Sequence, residues 1–171
     1  MSILNYSEIS PTDFNQNAIK LIGDDWMLIT AGNESGFNTM TASWGFMGEI
    51  WNKDSIICFI RPQRYTYEFI EKTNIFSLSF LSPGNKDALT LCGTESGRDG
   101  DKVARAGLSP LFADDTVFFD QANLVLICEK MYTFNIEPEN FIDSSFSEKF
   151  YPDKDYHKAY VSKILKVYKK I

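Results

Sequence analysis

The strongest constraint on the fold of this chain is a series of apolar or alternating runs of strand length, separated by turn residues. Six such runs span residues 26–32, 37–44, 55–60, 75–81, 122–134 and 156–169. The first two flank the turn signal Asn-Glu-Ser-Gly at 33–36, which predicts a hairpin. The runs do not alternate with helices in a βαβ pattern, and the sequence has no internal repeat. It therefore predicts a mainly β fold, a closed or nearly closed antiparallel barrel.

The remaining segments predict short peripheral helices and connections. Helical patterns cover residues 14–22, 65–73, 85–92 and 102–106, and short extended pieces lie at 108–111 and 117–119. Residues 1–11 are polar and without period, so we interpret them as an N-terminal arm. Residues 45–52 are punctuated by glycines and are interpreted as a bulged continuation of the strand before them. No low-complexity linker divides the 171 residues, which indicates a single domain over 1–171.

Composition excludes several classes of function. A formal net charge of −6 argues against nucleic acid or an anionic membrane as the main partner. No signal pattern or membrane-spanning apolar run is present, so a cytoplasmic protein is expected. Cys58, Cys92 and Cys128 are too far apart for a disulfide framework or a paired metal motif. With one histidine in the chain, neither a zinc site nor a Ser-His-Asp triad is expected.

Hydroxyl groups recur at every second position in the strand at 38–45. An extended chain places such residues on one face and the intervening ones on the other. Thr39, Thr41 and Ser43 therefore share one face, and Met40, Ala42 and Trp44 share the other. A row of small donor and acceptor groups suits contact with a flat polar ring. The alternative is an ordinary half-buried strand whose threonines face water.

Two arginines, Arg61 and Arg64, stand at the start of the predicted helix at 65–73. The helix macrodipole is positive there, so cations are unfavourable unless an anion binds between them. A phosphate held by both arginines, the Thr66 hydroxyl and free helix N–H groups would resolve the conflict. The alternative is a pair of solvated surface arginines.

The connection from Thr94 to Lys102 is rich in glycine and polar residues. Its glycines allow backbone N–H groups to converge on an anion, with Ser96, Arg98 and Lys102 around them. An ordinary polar surface loop is the alternative.

Four separated motifs carry a resemblance to a known family. They are Asn-Thr-Met-Thr-Ala-Ser-Trp-Gly at 38–45, Arg-Pro-x-Arg-Tyr-Thr at 61–66, Cys-Gly-Thr-x-Ser-Gly-Arg-Asp-x-Asp-Lys at 92–102, and the segment 150–157. In this order they resemble the flavin reductase-like, FMN-binding split-barrel family, in particular its flavoredoxin-like branch. The resemblance runs from about Trp26 to the C-terminus. It implies an antiparallel split β-barrel of Greek-key type that forms a homodimer with one FMN per subunit near the interface.

The resemblance also implies residue roles. The strand at 38–44 would line the isoalloxazine ring, residues 61–66 would surround the phosphate, and the loop at 92–102 would complete the pocket. The cofactor-binding residues so implied are Asn38, Thr39, Met40, Thr41, Ala42, Ser43, Trp44, Arg61, Arg64, Tyr65, Thr66, Cys92, Thr94, Ser96, Gly97 and Lys102. His157 matches a histidine that reductases of the family carry in a Gly-Asp-His motif near the nicotinamide. Here that motif reads Asp155-Tyr156-His157, without the glycine.

The expected function is that of an FMN-binding oxidoreductase, an NAD(P)H-dependent flavin reductase with hydride transfer to flavin N5. NADH or NADPH is the possible donor, and His157 is the candidate catalytic residue. The alternative is a flavoredoxin-type FMN electron carrier without a nicotinamide site, whose acidic surface would suit a redox protein partner. A third reading is a flavin- or haem-binding module without turnover, with His157 as the one histidine available to haem. Cys92 qualifies as a redox thiol only in an exposed, electropositive setting.

Overall fold

A computed structural model describes Ile3 and residues 5–171 of this chain and shows a mainly β fold. Its strands are β1 Tyr6–Ile9, β2 Met27–Asn33, β3 Gly36–Ala42, β4 Gly45–Ile50, β5 Lys53–Ile60, β6 Ile75–Leu81, β7 Pro110–Ala113, β8 Thr116–Phe119, β9 Ala122–Asn135 and β10 Lys158–Lys170. Its helices are α1 Ala18–Lys20, which runs into a π-turn at Leu21–Asp25, α2 Tyr65–Lys72, α3 Lys86–Thr94, α4 Lys102–Arg105 and α5 Ser144–Phe150. Short 3₁₀ turns lie at Pro11–Asp13 and Pro138–Asn140. Within the described ranges, no helix is long and apolar enough to cross a membrane.

Eight strands form one antiparallel sheet, in the order β3-β2-β6-β9-β10-β5-β4 with β1 beside β10. The long strand β10 pairs with β9 along most of its length, with β5 through its first half and with β1 through its last residues. The strands β7 and β8 form a separate hairpin. The predicted antiparallel, mainly β fold is confirmed.

The sheet is curled into a split barrel because its two edge strands follow each other in the chain. β3 and β4 stand at opposite ends of the strand order, yet only Ser43 and Trp44 separate them. Two residues span at most about 7 Å, so the two edges must lie side by side. Gly45, the first residue of β4, fits against β5 because a Cβ there would lie 2.8 Å from the carbonyl oxygen of Ile57.

The barrel interior is filled by the inward-facing side chains of the sheet. Ile56, Cys58 and Ile60 alternate along β5 and are fully buried there. The helix α3 packs against the outside of the barrel through Leu89 and Cys92, which contact Leu28 of β2 in a second apolar cluster. This contact brings the C-terminal end of α3 close to β3.

Three segments differ from the sequence-based predictions. Part of the predicted arm at 1–11 is the strand β1, whose four residues are too few to show a period (Met1, Ser2 and Leu4 lie outside the described residues). The segment 45–52 is not a continuation of β3, because β4 pairs with β5 at the far edge. The helix predicted at 14–22 begins only at Ala18, capped by the Asn17 side chain, which accepts from two backbone N–H groups.

One outward face of the sheet carries an apolar surface, which we call the outer patch and define as Phe46, Trp51, Tyr132 and Phe134. All four side chains are exposed, Phe46 by 67%. The pairing register joins Phe46, Ile57, Val161 and Tyr132 in one row across β4, β5, β10 and β9. Paired residues of antiparallel strands share a face, so this row is continuous. The patch is adjacent to the junction between β3 and β4.

Candidate functional site

Three cavities meet at Ser43, in the junction between β3 and β4. The smallest, about 150 Å³, is lined by Arg61, Arg64 and His157 together with residues 40–44. A second cavity of about 230 Å³ lies between β3 and α3. The third, about 670 Å³, is apolar and opens beside Trp44. Of the predicted stretch 38–44, residues 40–44 thus line these cavities, whereas Asn38 and Thr39 do not.

Arg64 and Lys102 are two cations that converge on one backbone oxygen. Arg64 Nη2 and Lys102 Nζ each donate to the carbonyl oxygen of Cys92, both at 3.2 Å, and Lys102 also donates to that of Glu95 at 3.0 Å. Lys102 is only 3% exposed. Within the described residues, neither cation forms an ion pair with a carboxylate. The carbonyl oxygens accept hydrogen bonds from both cations. They carry no net charge, however, so the two positive charges have no counter-charge.

The pKa values of both cations are lowered mainly by burial, although the Glu95 carboxylate acts in the opposite direction on Lys102. Burial lowers the pKa of Lys102 to about 8, with the nearby Arg64 guanidinium acting in the same direction. Burial, with the charge of Arg61, also lowers the pKa of Arg64. A bound anion would reverse both effects, because an opposite charge favours the protonated forms. The arrangement is therefore suited to an anion such as a phosphate.

Arg61 has a different role from the one predicted. Its guanidinium forms an ion pair with Asp155, donates to the carbonyl oxygen of Phe150 at 2.9 Å and lies 5.1 Å from the ring centre of Tyr151. Gln63 also donates to Asp155. Arg61 thus anchors the segment between α5 and β10 rather than presenting a free charge. Local sequence patterns do not reveal this ion pair, because the two residues are 94 positions apart.

The glycine-rich loop packs directly on β3. A Cβ at Gly97 would lie 2.1 Å from Asn38 Oδ1 and 3.1 Å from the ring of Tyr65, so only glycine fits. Asn38 Nδ2 in turn donates to Thr66 Oγ1 at 2.7 Å. The loop is also held to α2 by Arg98, whose guanidinium lies over the Tyr65 ring at 4.7 Å. Asn38, Tyr65, Thr66 and Gly97, all predicted for the site, therefore form its packed frame.

The hydroxyl row of β3 does not face a ligand as predicted. The Thr39 hydroxyl is fully buried and bonds to Thr30 Oγ1 at 2.8 Å and to the Ile29 carbonyl oxygen at 3.2 Å. The Thr41 hydroxyl donates to the carbonyl oxygen of Leu89 in α3. The prediction is wrong for Thr39, and the Thr41 hydroxyl is already bonded. The Thr39 hydroxyl is bonded within the sheet and the Thr41 hydroxyl to α3, contacts that strand periodicity alone does not reveal.

The other loop residues are distributed around the two smaller cavities. Thr94 lines the cavity between β3 and α3, and its hydroxyl donates to the Thr90 carbonyl oxygen at 2.9 Å. The Ser96 hydroxyl accepts from the Arg98 N–H at 3.2 Å. The Cys92 side chain is fully buried, and burial raises the pKa of its thiol. A buried thiol of this kind does not meet the condition for a redox thiol.

His157 is a buried, neutral imidazole at the edge of the site. It is 8% exposed, its Nδ1 lies 2.8 Å from Tyr151 Oη, and its ring is 5.0 Å from that of Trp44. Burial, with the charge of Arg61 nearby, lowers the pKa of His157 to about 4. Near neutral pH the ring is therefore uncharged and offers one donor and one acceptor nitrogen.

Sequence reasoning missed Asp155, Tyr151 and Phe59. Phe59 lines two of the three cavities, and Tyr151 and Asp155 orient His157 and Arg61. The alternation of Phe59 with the buried residues of β5 places it on the face opposite the core, a signal that was available. The roles of the other two depend on tertiary contacts.

The comparisons with known proteins agree with this geometry. The profile of the flavin reductase like domain family matches residues 22–142, and this chain belongs to that family. The match includes the strand, helix and loop that surround the two cations. A comparison with curated protein sequences gives no match.

Solved structures share the fold at low sequence identity. An FMN-binding domain of a flavin reductases-like enzyme from Shewanella baltica superposes with a TM-score of 0.68 at 16% identity, covering 97% of this chain and 78% of that one. Flavoredoxin from Methanosarcina acetivorans gives 0.66 at 20%, covering 85% and 68%. Flavoredoxin of Desulfovibrio vulgaris gives 0.63 at 20%, covering 83% and 67%. These likenesses establish the split-barrel fold.

The lowered pKa of His157 predicts a pH dependence of stability. Between pH 6.5 and about 4, His157 is protonated in the unfolded chain but not in the folded one. The free energy of unfolding therefore falls as the pH falls through this window. The shift corresponds to up to ~3 kcal/mol. In an NMR pH titration the single imidazole should titrate near pH 4 in the folded protein. A value near 6.5, or an equal acid sensitivity of His157→Gln in urea unfolding, would contradict this assignment.

Proposed function

We propose that this protein is an FMN-binding oxidoreductase that takes electrons from a nicotinamide nucleotide. The observation that carries the proposal is a pair of cations, Arg64 at the start of α2 and Lys102 at the start of α4, which share one backbone acceptor and have no carboxylate partner among the described residues. Family membership supports the choice of a flavin phosphate as the missing anion.

The residues present fit the cofactor. Arg64 and Lys102 would hold the phosphate, together with the first N–H groups of α2, to which the N-cap residue Arg64 offers no side-chain acceptor. Gly93 and Gly97 let the loop approach β3, since a Cβ at Gly93 would lie 3.3 Å from Thr41 Cβ. The backbone of residues 40–44 would line the ring. Tyr65, Thr66 and Asn38 would act through the frame that positions these groups.

The chain's own residues then orient the cofactor and shield it from water. Bound FMN would supply the redox chemistry, accepting a hydride at N5 and passing electrons on. Trp44 and Phe59 wall the cavity and exclude water from it. His157 stays neutral, held in orientation by the Tyr151 hydroxyl, and would present Nε2 toward the nicotinamide side.

The alternative, an FMN electron carrier without a nicotinamide site, has one observation in its favour. The large cavity next to Trp44 has no charged residue in its lining, so it offers no counter-charge to the diphosphate of a nicotinamide dinucleotide. A carrier would instead meet a redox protein partner, and a net charge of −6 suits a basic one.

Absorption spectra separate these functions. We expect the purified protein, with FMN added, to show bound-flavin bands that bleach anaerobically on addition of NADH or NADPH. Bands that bleach only with dithionite would support the carrier instead. A Soret band would indicate haem, and a protein that takes up no FMN would remove the proposal.

The role of Arg64 predicts a difference between FMN and riboflavin. Arg64→Ala should weaken FMN roughly 10- to 100-fold, because a charge-assisted contact to a phosphate is lost, and change riboflavin affinity little. Fluorescence titration with both ligands measures this. Lys163→Ala is the control, since Lys163 is a cation paired with Glu129 and does not line the cavity. Equal loss for both flavins would overturn the assignment.

We further propose that the protein is a homodimer, with the outer patch as the interface. The outer patch places four large, exposed apolar side chains together on one sheet face, whereas an ordinary protein surface carries such residues singly. A second copy of the same patch would bury them in a self-complementary contact, as two-fold dimers do. The interface would then lie next to the proposed flavin site.

Charge placed in the outer patch should therefore dissociate the dimer. Tyr132→Glu combined with Phe134→Glu is expected to halve the mass measured by light scattering after gel filtration. Ile171→Glu changes a more exposed apolar residue outside the patch and should leave the mass unchanged. A monomeric parent protein, or a double variant that stays dimeric, would contradict the proposal.

A further inference from the structure

The cavity beside Trp44 is an aromatic chamber on the open side of the barrel. We call it the apolar cavity, and its volume is about 670 Å³, within the range of small-molecule sites. One wall comes from the sheet, with Trp44, Phe46 and Phe59. The opposite wall comes from the segment around α5, with Phe146 and Phe150 among others. An aromatic lining of this kind suits contact with a flat ring.

The lining of the apolar cavity has no charge and very few polar groups. Ser43 supplies a hydroxyl, and the hydroxyl of Tyr151 is already bonded to His157. Lys149 is close, with its Nζ 5.1 Å from the ring centre of Phe150, but it is not part of the lining. A charged ligand would lose its hydration there without gaining a counter-charge. The cavity therefore selects uncharged molecules.

The apolar cavity is adjacent to the cationic cavity of Arg64 and His157. Ser43, Trp44 and Phe59 line both. The Trp44 ring also meets Phe150 edge-on, with ring centres 5.5 Å apart, so α5 closes over this shared wall. A molecule in the apolar cavity would lie against the same residues that line the proposed flavin site.

We propose that the apolar cavity binds a flat, uncharged quinone and that such quinones are electron acceptors of this protein. The role as acceptor rests on the proposed function, whereas the binding does not. A quinone bound there would gain two electrons and two protons and leave as the hydroquinone. The reduced flavin, itself oxidised in the step, would supply both. The nicotinamide donor would then enter from outside this cavity.

The test is the affinity of the protein for two matched quinones. Menadione is uncharged, and in its sulfonated analogue a sulfonate replaces the methyl group on the same ring system. Isothermal titration calorimetry of the FMN-free and FMN-loaded protein should show menadione binding in both forms. The sulfonated analogue should bind at least about tenfold more weakly, because its charge enters an uncharged cavity.

Two variants locate the binding. Phe146→Ala and, as a second test, Ile19→Ser remove apolar lining from partly or largely exposed side chains, so the fold should tolerate both. Phe146→Ala should weaken menadione about tenfold, through loss of an aromatic contact. Leu165→Ala removes a comparably exposed apolar side chain that does not line the cavity, and should change nothing.

Several results would overturn the proposal. These are no menadione binding, equal affinity for the two quinones, or affinity unchanged in both lining variants. Binding that appears only in the dimer-breaking variant would show that a second copy fills the cavity, and would overturn it as well. FMN uptake is measured separately by absorbance. If the protein takes up no FMN but still binds menadione, the result would contradict the proposed function. The proposal that the apolar cavity binds uncharged quinones would still hold.

Discussion

The structure depends on one covalent constraint, the two-residue connection between β3 and β4. These strands are the opposite edges of the main sheet, and a link through Ser43 and Trp44 alone forces the edges together. The sheet must curl to satisfy it, and the barrel closes at this seam through the chain itself. Side chains, rather than a ladder of backbone hydrogen bonds, fill the seam, so concave space remains there. The three cavities that meet at Ser43 are a direct consequence of this connection.

Electrostatics gives one of these cavities its character. Arg64 lines this cavity, and Lys102 of α4 donates a hydrogen bond to the same backbone carbonyl oxygen as Arg64 does. Arg61, by contrast, is neutralised by Asp155 and holds the segment that carries His157. The three cations therefore divide into one that organises the structure and two whose charge remains uncompensated within the described residues. Burial without compensation costs stability, and this cost supports our proposal that the site binds an anion.

The sequence predicted what local pattern determines. Strand periodicity and turn residues predicted the antiparallel fold and most strands. The helix-terminus argument predicted a phosphate held by Arg61 and Arg64, and this stays a prediction; of the two, only Arg64 has no carboxylate partner among the described residues. Prediction from sequence failed where a contact with a distant residue decides the outcome. Examples are Thr39, whose hydroxyl bonds within the sheet, and Arg61, whose partner is remote in the chain. Strand β1 was missed because it has four residues and draws its order from β10.

The same seam separates two kinds of chemistry over a short distance. On the side of Arg64 the cavity is cationic, and on the side of Phe146 it is aromatic and uncharged. Trp44 and Phe59 belong to both walls, so they set the boundary between an anchored anionic ligand and a neutral one. An arrangement of this kind would hold an anionic ligand in the cationic cavity by electrostatics. A second, neutral ligand in the adjacent apolar cavity would remain free to exchange. Because the weaker, area-dependent contacts lie on the aromatic side, exchange would occur there while the cationic side stays occupied.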